Sequence, residues 1–164
     1  MIYRLTREQR ISRPVPEVFQ FFADARNLQR LTPSWLNFEI LTPGEIPMHN
    51  GAIIQYSLRI HGIVVHWTTS IPVWSPPSQF VDVQLRGPYV LWHHVHRFEA
   101  VGDDTRMVDE VHYKLPFGWL GRVAHWLLVR RDLERIFDYR QEAIQKIFAP
   151  REERVSGTEI RRSH

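Results

Sequence analysis

RVAHWLLVRRDLERIFDYRQEAIQKIF, residues 122–148, contains neither Gly nor Pro, and its apolar side chains recur at three- and four-residue steps. Val129, Leu133, Ile136, Phe137, Ile144, Ile147 and Phe148 carry that repeat, which is one face of an α-helix. Gly121 stands before the run and Pro150 after it, so the spacing predicts one long amphipathic helix near the end of the chain. A helix with a single apolar stripe needs one broad surface to cover it.

Upstream, the period changes to two. Residues 52–60 and 63–73 flank His61-Gly62, a pair suited to a tight hairpin turn. A short strand over 38–41 precedes them, bounded by Pro43-Gly44, and another over 80–85 is closed by Gly87-Pro88. Residues 89–100 and 106–115 flank Gly102-Asp103-Asp104. With residues 2–12 as a further strand, short hairpin links imply antiparallel pairing. Between the first strand and the rest, Pro16 and Glu17 suit a helix start. Val18, Phe19, Phe22 and Ala25 follow at helical spacing, and a second short helix is expected over 26–31, before Pro33. The prediction is one α+β domain over residues 1–150. In it a curved six- to seven-stranded antiparallel sheet wraps the C-terminal helix, two short helices follow the first strand, and a pocket lies between the layers. Residues 151–164 are charged without apolar period and are expected to form a disordered tail.

The totals narrow the function. There is no Cys, which removes disulfides, thiolate metal sites and a Cys nucleophile. The net charge of +3 comes from 21 basic and 18 acidic side chains without a clustered basic face, so no nucleic-acid partner is expected. No stretch approaches the roughly 20 apolar residues of a membrane span. Met1-Ile2-Tyr3-Arg4 leads straight into alternation without an apolar leader, and the expected location is cytoplasmic. The first and last strands, read as sheet edges, are where a dimer would form.

Alternation also selects candidate site residues. In 89–100 the set Val90, Trp92, His94, His96 and Phe98 is placed inward; in 106–115 the set Met107, Asp109, Val111, Tyr113 and Leu115. In 80–85 the set Phe80, Asp82, Gln84 mixes apolar and polar groups, which leaves its direction open. At about 100° per residue, Arg140 falls inside the stripe of Leu133, Phe137 and Ile144. A guanidinium there either pairs with an inward carboxylate such as Asp109, meets an anionic ligand group, or snorkels out along the sheet edge. His94, His96, Asp109 and Arg140, with Trp92, Tyr113 and Phe137, form the expected ligand-binding set. His-x-His with a neighbouring carboxylate also matches a two-His-one-carboxylate metal face. With nine His in the chain such spacing arises readily by chance. A hydrogen-bonded cluster that orients a ligand is preferred, and no metal or cofactor is assigned. The six Trp are read as core and cavity wall, with Trp119 and Trp126 as a possible gate.

Several segments together resemble a known superfamily. They are Pro16-Glu17-Val18-Phe19, Asn27-Leu28, Leu31-Thr32-Pro33, Phe80-Val81-Asp82-Val83-Gln84 and Gly87-Pro88-Tyr89. Further on come Trp92-His93-His94-Val95-His96-Arg97-Phe98, Asp109-Glu110-Val111-His112-Tyr113, Leu115-Pro116-Phe117-Gly118 and Ile136-Phe137-Asp138-Tyr139-Arg140. Over residues 2–148 the chain is similar to the SRPBCC superfamily of START lipid-transfer domains, birch-pollen-allergen proteins and polyketide cyclases, and within it to bacterial ligand-binding SRPBCC domains. The resemblance implies the helix-grip fold and a cavity. It carries no catalytic residues onto this chain, since one fold serves many functions. The expected function is binding of a small hydrophobic or amphipathic molecule with a polar or anionic end. The alternative is a cyclase, dehydratase or hydrolase using the same His/Asp/Arg cluster, and the absence of a Gly-x-Ser-x-Gly or phosphate-loop signature favours binding.

Overall fold

Period-two alternation is realised as seven strands. These are β1 (Tyr3–Ile11), β2 (Glu39–Ile40), β3 (Ala52–Ile60), β4 (Ile63–Ser75), β5 (Gln79–Arg86), β6 (Leu91–Val101) and β7 (Asp104–Lys114). The computed structural model describes residues 1–149; the expected tail, 151–164, lies outside them. The strands form one antiparallel sheet in the order β1-β7-β6-β5-β4-β3-β2. His61 and Gly62 both take positive φ, 48° and 84°, the handedness that a two-residue hairpin needs. Register shifts between β4 and β5, at Thr68/Thr69 and Ser70/Val73, bend the sheet into a trough. The edges differ from expectation. β7 is internal, because β1 runs beside it from Tyr3↔Tyr113 to Ile11↔Thr105. The edges are β1 and the two-residue β2.

The helical elements fill and cap the trough. Helix α1 (Val15–Phe22) carries Pro16 in its first turn, and a 3₁₀ turn over Ala25–Gln29 stands where the second short helix is predicted. A further 3₁₀ turn covers Ser34–Leu36. The long helix starts at Gly118, earlier than its periodicity implies. It consists of α2 (Gly118–Ala124), a π-helical turn (His125–Val129) and α3 (Arg130–Ile147) without a break. The predicted stripe holds on α3, where Leu133, Phe137 and Ile144 are buried.

Two apolar clusters result. One joins Val18, Phe19 and Phe22 of α1 to Phe80, Phe98, Met107 and Ile144. The other joins Leu5, Val111 and Tyr113 to Leu133 and Phe137. The Trp residues divide: Trp67 is buried and Trp74 and Trp92 half-buried, while Trp35, Trp119 and Trp126 are exposed. The reading of all six as core or cavity wall therefore fails for those three. Trp119 and Trp126 lie on α2 and the π turn, ahead of the stripe that faces the sheet.

Ile144 links α3 to the α1 cluster and is fully buried. Ile144→Ala is expected to lower the unfolding free energy by about 2–5 kcal/mol, the range for deleting a buried aliphatic group. Urea denaturation of both proteins measures this. A loss below ~1 kcal/mol would show that the helix is not anchored there.

Candidate functional site

The trough is wider than one helix can fill, and a cavity of about 190 Å³ remains between sheet and helix. Most of its wall is apolar: Leu36, Ile54, Leu58, Trp67, Trp92, Leu133, Ile136 and Phe137 all line it. Tyr56 adds a hydroxyl 3.3 Å from Thr69 Oγ1, and burial pushes that phenol upward, so it stays protonated. The indole N–H of buried Trp67 has no hydrogen-bond partner among the described residues. Gln84 clamps the backbone of Tyr89, donating from Nε2 to its carbonyl at 2.6 Å and accepting its N–H at 3.2 Å. That clamp holds the Tyr89 ring beside Trp67 and Trp92.

The remaining wall is polar and comes from three elements: Asp82 on β5, His94 and His96 on β6, and Arg140 on α3. Asp109 on β7 stands behind the two imidazoles. Strand register explains the cluster. Asp82 lies directly opposite His94, and Asp109 directly opposite His96, while each His reaches the other Asp on the diagonal. The aligned hydrogen bonds take the diagonals. His94 Nε2 donates to Asp109 Oδ1 at 3.0 Å, and His96 Nε2 donates to Asp82 Oδ2 at 2.8 Å. The direct pairs are also close, at 3.2 Å for His94 Nδ1–Asp82 and 2.7 Å for His96 Nδ1–Asp109. These contacts lie off the N–H direction, and His96 Nδ1 has no hydrogen-bond partner among the described residues. The rings overlap with centroids 3.7 Å apart.

Arg140 Nε lies 3.6 Å from Asp109 Oδ2, beyond hydrogen-bond length, and has no hydrogen-bond partner among the described residues. The side chain keeps 12% of its surface exposed, so it does not snorkel out along the sheet edge and instead faces Asp109. Its guanidinium sits over the Phe22 ring at 5.5 Å.

Electrostatics follow from these contacts. Burial works against ionising Asp109, but Arg140 and His96 outweigh it and hold the carboxyl well below its usual range. Burial likewise opposes ionisation of Asp82, and the neighbouring His94 and His96 reverse it. For His94 burial disfavours the cation, yet Asp82 and Asp109 prevail and raise the imidazole above its usual value. With His94 charged, Asp82 and Asp109 face cationic partners in His94 and Arg140, so neither carboxylate is left without one in this part of the wall.

Asp82, His94 and His96 also bring one donor atom each within 4.8 Å of one another, the make-up of a two-His-one-carboxylate metal face. An ion would need a bare nitrogen about 2.1 Å away on each ring. In this structure His96 Nε2 is engaged by Asp82 at 2.8 Å, while His96 Nδ1 has no hydrogen-bond partner among the described residues.

Of the residues predicted for the site, His94, His96, Arg140, Trp92 and Phe137 line the cavity, with Asp109 immediately behind. Tyr113 differs. Trp92, its register partner, takes the wall position. The Tyr113 hydroxyl pairs instead with His125 Nε2 at 2.9 Å, and burial pushes it up to about 12. Sequence leaves Asp82 undirected; its register opposite His94 is the signal that places it. Tyr56, Trp67 and Thr69 have no motif to mark them.

Three comparisons set this site among known proteins. No curated protein matches the chain. Among solved structures, a protein from Thermus thermophilus superposes with a TM-score of 0.68 at 15% identity, over 88% of this chain and 99% of its own. The Zhui aromatase/cyclase from Streptomyces sp. R1128 gives 0.66 at 14%, over 91% and 98%. The major latex-like protein 151 from Panax ginseng gives 0.67 at 11%, over 91% and 99%. At such identities these likenesses establish the helix-grip fold alone. The model of the polyketide cyclase / dehydrase and lipid transport family matches residues 11–137, and this chain belongs to that family, within the SRPBCC superfamily.

Proposed function

We propose that this protein binds a small amphipathic molecule whose apolar body fills the cavity and whose neutral polar end, a hydroxyl or carbonyl, meets Asp82, His94 and His96. One observation carries the proposal: an apolar cavity wall interrupted by a single polar patch whose carboxylates already have cationic partners. Burying an unpaired charge is strongly unfavourable. An anionic end would add negative charge beside Asp82 and Asp109, while Arg140 already faces Asp109 at 3.6 Å. The neutral end narrows the polar or anionic end expected from sequence. Such a protein would carry, sequester or sense its ligand.

The second reading is catalytic and also rests on a specific contact. The His96–Asp82 pair, at 2.8 Å in the cavity wall, has the geometry of a proton-transfer dyad. It would serve proton abstraction beside a carbonyl, the chemistry that cyclisation and dehydration share.

Three neutral or charged probes test the first reading by fluorescence titration. 2-Naphthol is expected to bind about tenfold or more tightly than naphthalene, the range for a hydrogen bond to a charged acceptor, and 2-naphthoate more weakly than 2-naphthol. Asp82→Asn should bring 2-naphthol towards naphthalene. Tightest binding of 2-naphthoate would establish an anion site instead, and failure of all three probes would end the binding proposal.

Hydrogen–deuterium exchange at the α-carbon of 2-tetralone, followed by NMR in deuterated buffer, tests the second. Binding alone predicts exchange at the rate of buffer. Acceleration abolished by Asp82→Asn would make the protein an enzyme.

A further inference from the structure

The segment between β7 and α3 is built unlike the rest of the surface. Phe117 takes φ 64° and Gly118 φ 51°, which turns the chain sharply out of β7. Gly121 packs on the Pro116 carbonyl so closely that any side chain would collide, fixing α2 at the strand end. From there the helix projects beyond the sheet. Phe117, Trp119, Leu120, Val123, Trp126, Leu127 and Leu128 are all exposed, Phe117 by 80% and Trp126 by 78%. At about 100° per residue, Trp119, Leu120, Val123, Trp126 and Leu127 share one arc of about 120°. Val90, placed inward by the alternation, is exposed because β6 begins only at Leu91; with exposed Met1 it lines a shallow groove beside Phe117 and extends the apolar area. Contiguous exposed apolar surface of this kind marks an interaction site.

Its charge is one-sided. Residues 111–131 hold Lys114, Arg122, Arg130 and Arg131 and no Asp or Glu. Arg130 pairs with Glu134 at 2.9 Å; Lys114, Arg122 and Arg131 make no ion pair among the described residues. Trp, Phe and Leu on one face with cations at the margin are the make-up of a helix lying in the interfacial layer of a bilayer. A second copy of this chain fits less well. Face-to-face packing would bring the cations of both copies together with no carboxylate in either segment, whereas anionic headgroups neutralise them.

Position adds a further observation. An outer groove contains Leu115 and Val129, which bracket the exposed segment, and shares Leu36, Ile60, Tyr89, Leu133 and Ile136 with the cavity. The exposed helix therefore stands beside a groove that adjoins the cavity.

We propose that Phe117–Leu128 docks this protein on the surface of a bilayer containing anionic lipid, with that groove against the interface. No helix among the described residues is long and apolar enough to cross a membrane, and docking requires only that the α2 face lie in the headgroup layer. Docking does not depend on what the cavity holds.

Co-sedimentation of the full chain with vesicles tests it, using phosphatidylcholine alone and equal parts of phosphatidylcholine and phosphatidylglycerol. Binding to the mixed vesicles is expected, with Trp emission shifted to the blue and affinity falling as salt rises. Trp119→Ser/Trp126→Ser should weaken binding at least about tenfold, as expected from partly burying two large side chains. Arg122→Gln/Arg131→Gln should weaken it about tenfold or more on mixed vesicles only. Circular dichroism checks that both variants are folded. Absence of vesicle binding, or binding unaffected by the Trp pair, would overturn the proposal. So would a dimer in sedimentation velocity that the Trp pair abolishes, since a second copy would then cover the face. Trp119→Ser/Trp126→Ser should still bind 2-naphthol, so failure here and failure of the cavity reading are separable.

Discussion

Opposite charges must balance inside an apolar trough, and the interior is arranged around that requirement. Asp82 and Asp109 come from β5 and β7, and the imidazoles between them from β6. Arg140 reaches them from α3. Removing one partner would leave an uncompensated buried charge, which is far less favourable than the paired state. The cluster therefore ties three strands and the helix to one spacing. Its contribution depends on pH with a definite sign. Asp82 and Asp109, held below the ordinary 3.8, add stability above that pH and lose it as pH falls through their folded values. His94, raised above the ordinary 6.5, adds stability below that pH and loses it as pH rises through its folded value. The brace is strongest between these limits.

The same spacing makes the cavity. The bends in β4 and β5 curve the sheet, and α3 fills the trough along the Leu133–Phe137–Ile144 stripe. One helix meets the sheet closely at the two apolar clusters and leaves space between them. The polar cluster lines that space on one side. On the outside, the early start of the helix at Gly118 and the π turn carry its first turns past the sheet. The surface they expose stands beside an outer groove that shares lining residues with the cavity. Interior pocket and exterior patch thus have one origin, a helix longer than the sheet that holds it.

Much of this is legible in the residues. Strand limits read from the alternation fall within a few positions, because one face of each strand is buried and register is strongly specified. Arg140 announces itself as a cation in an apolar stripe. Asp82 does not, because Phe80, Asp82 and Gln84 present mixed chemistry and only pairing with β6 decides their direction. Tyr113 lies on the predicted face, but which inward residue reaches a cavity depends on how the trough closes around it. Gly121 reads as the residue before the helix; it instead lies in the first turn, packed on the Pro116 carbonyl, and the helix opens at Gly118 with its positive φ. Trp119 and Trp126 read as core or gate because large aromatics usually pack inside. Whether sheet lies above a helix turn is a property of the assembled fold, not of local pattern.

The central claim is that His94 is held as a cation between two ionised carboxylates, so that the acids of the polar patch in the cavity wall are already paired. NMR titration of the His94 ring measures this directly. A midpoint above 6.5, moving down in Asp109→Asn, is the predicted result. A midpoint below 6.5 in the unaltered protein would mean that burial prevails over the carboxylates, and the charge pairing proposed for the site would be wrong.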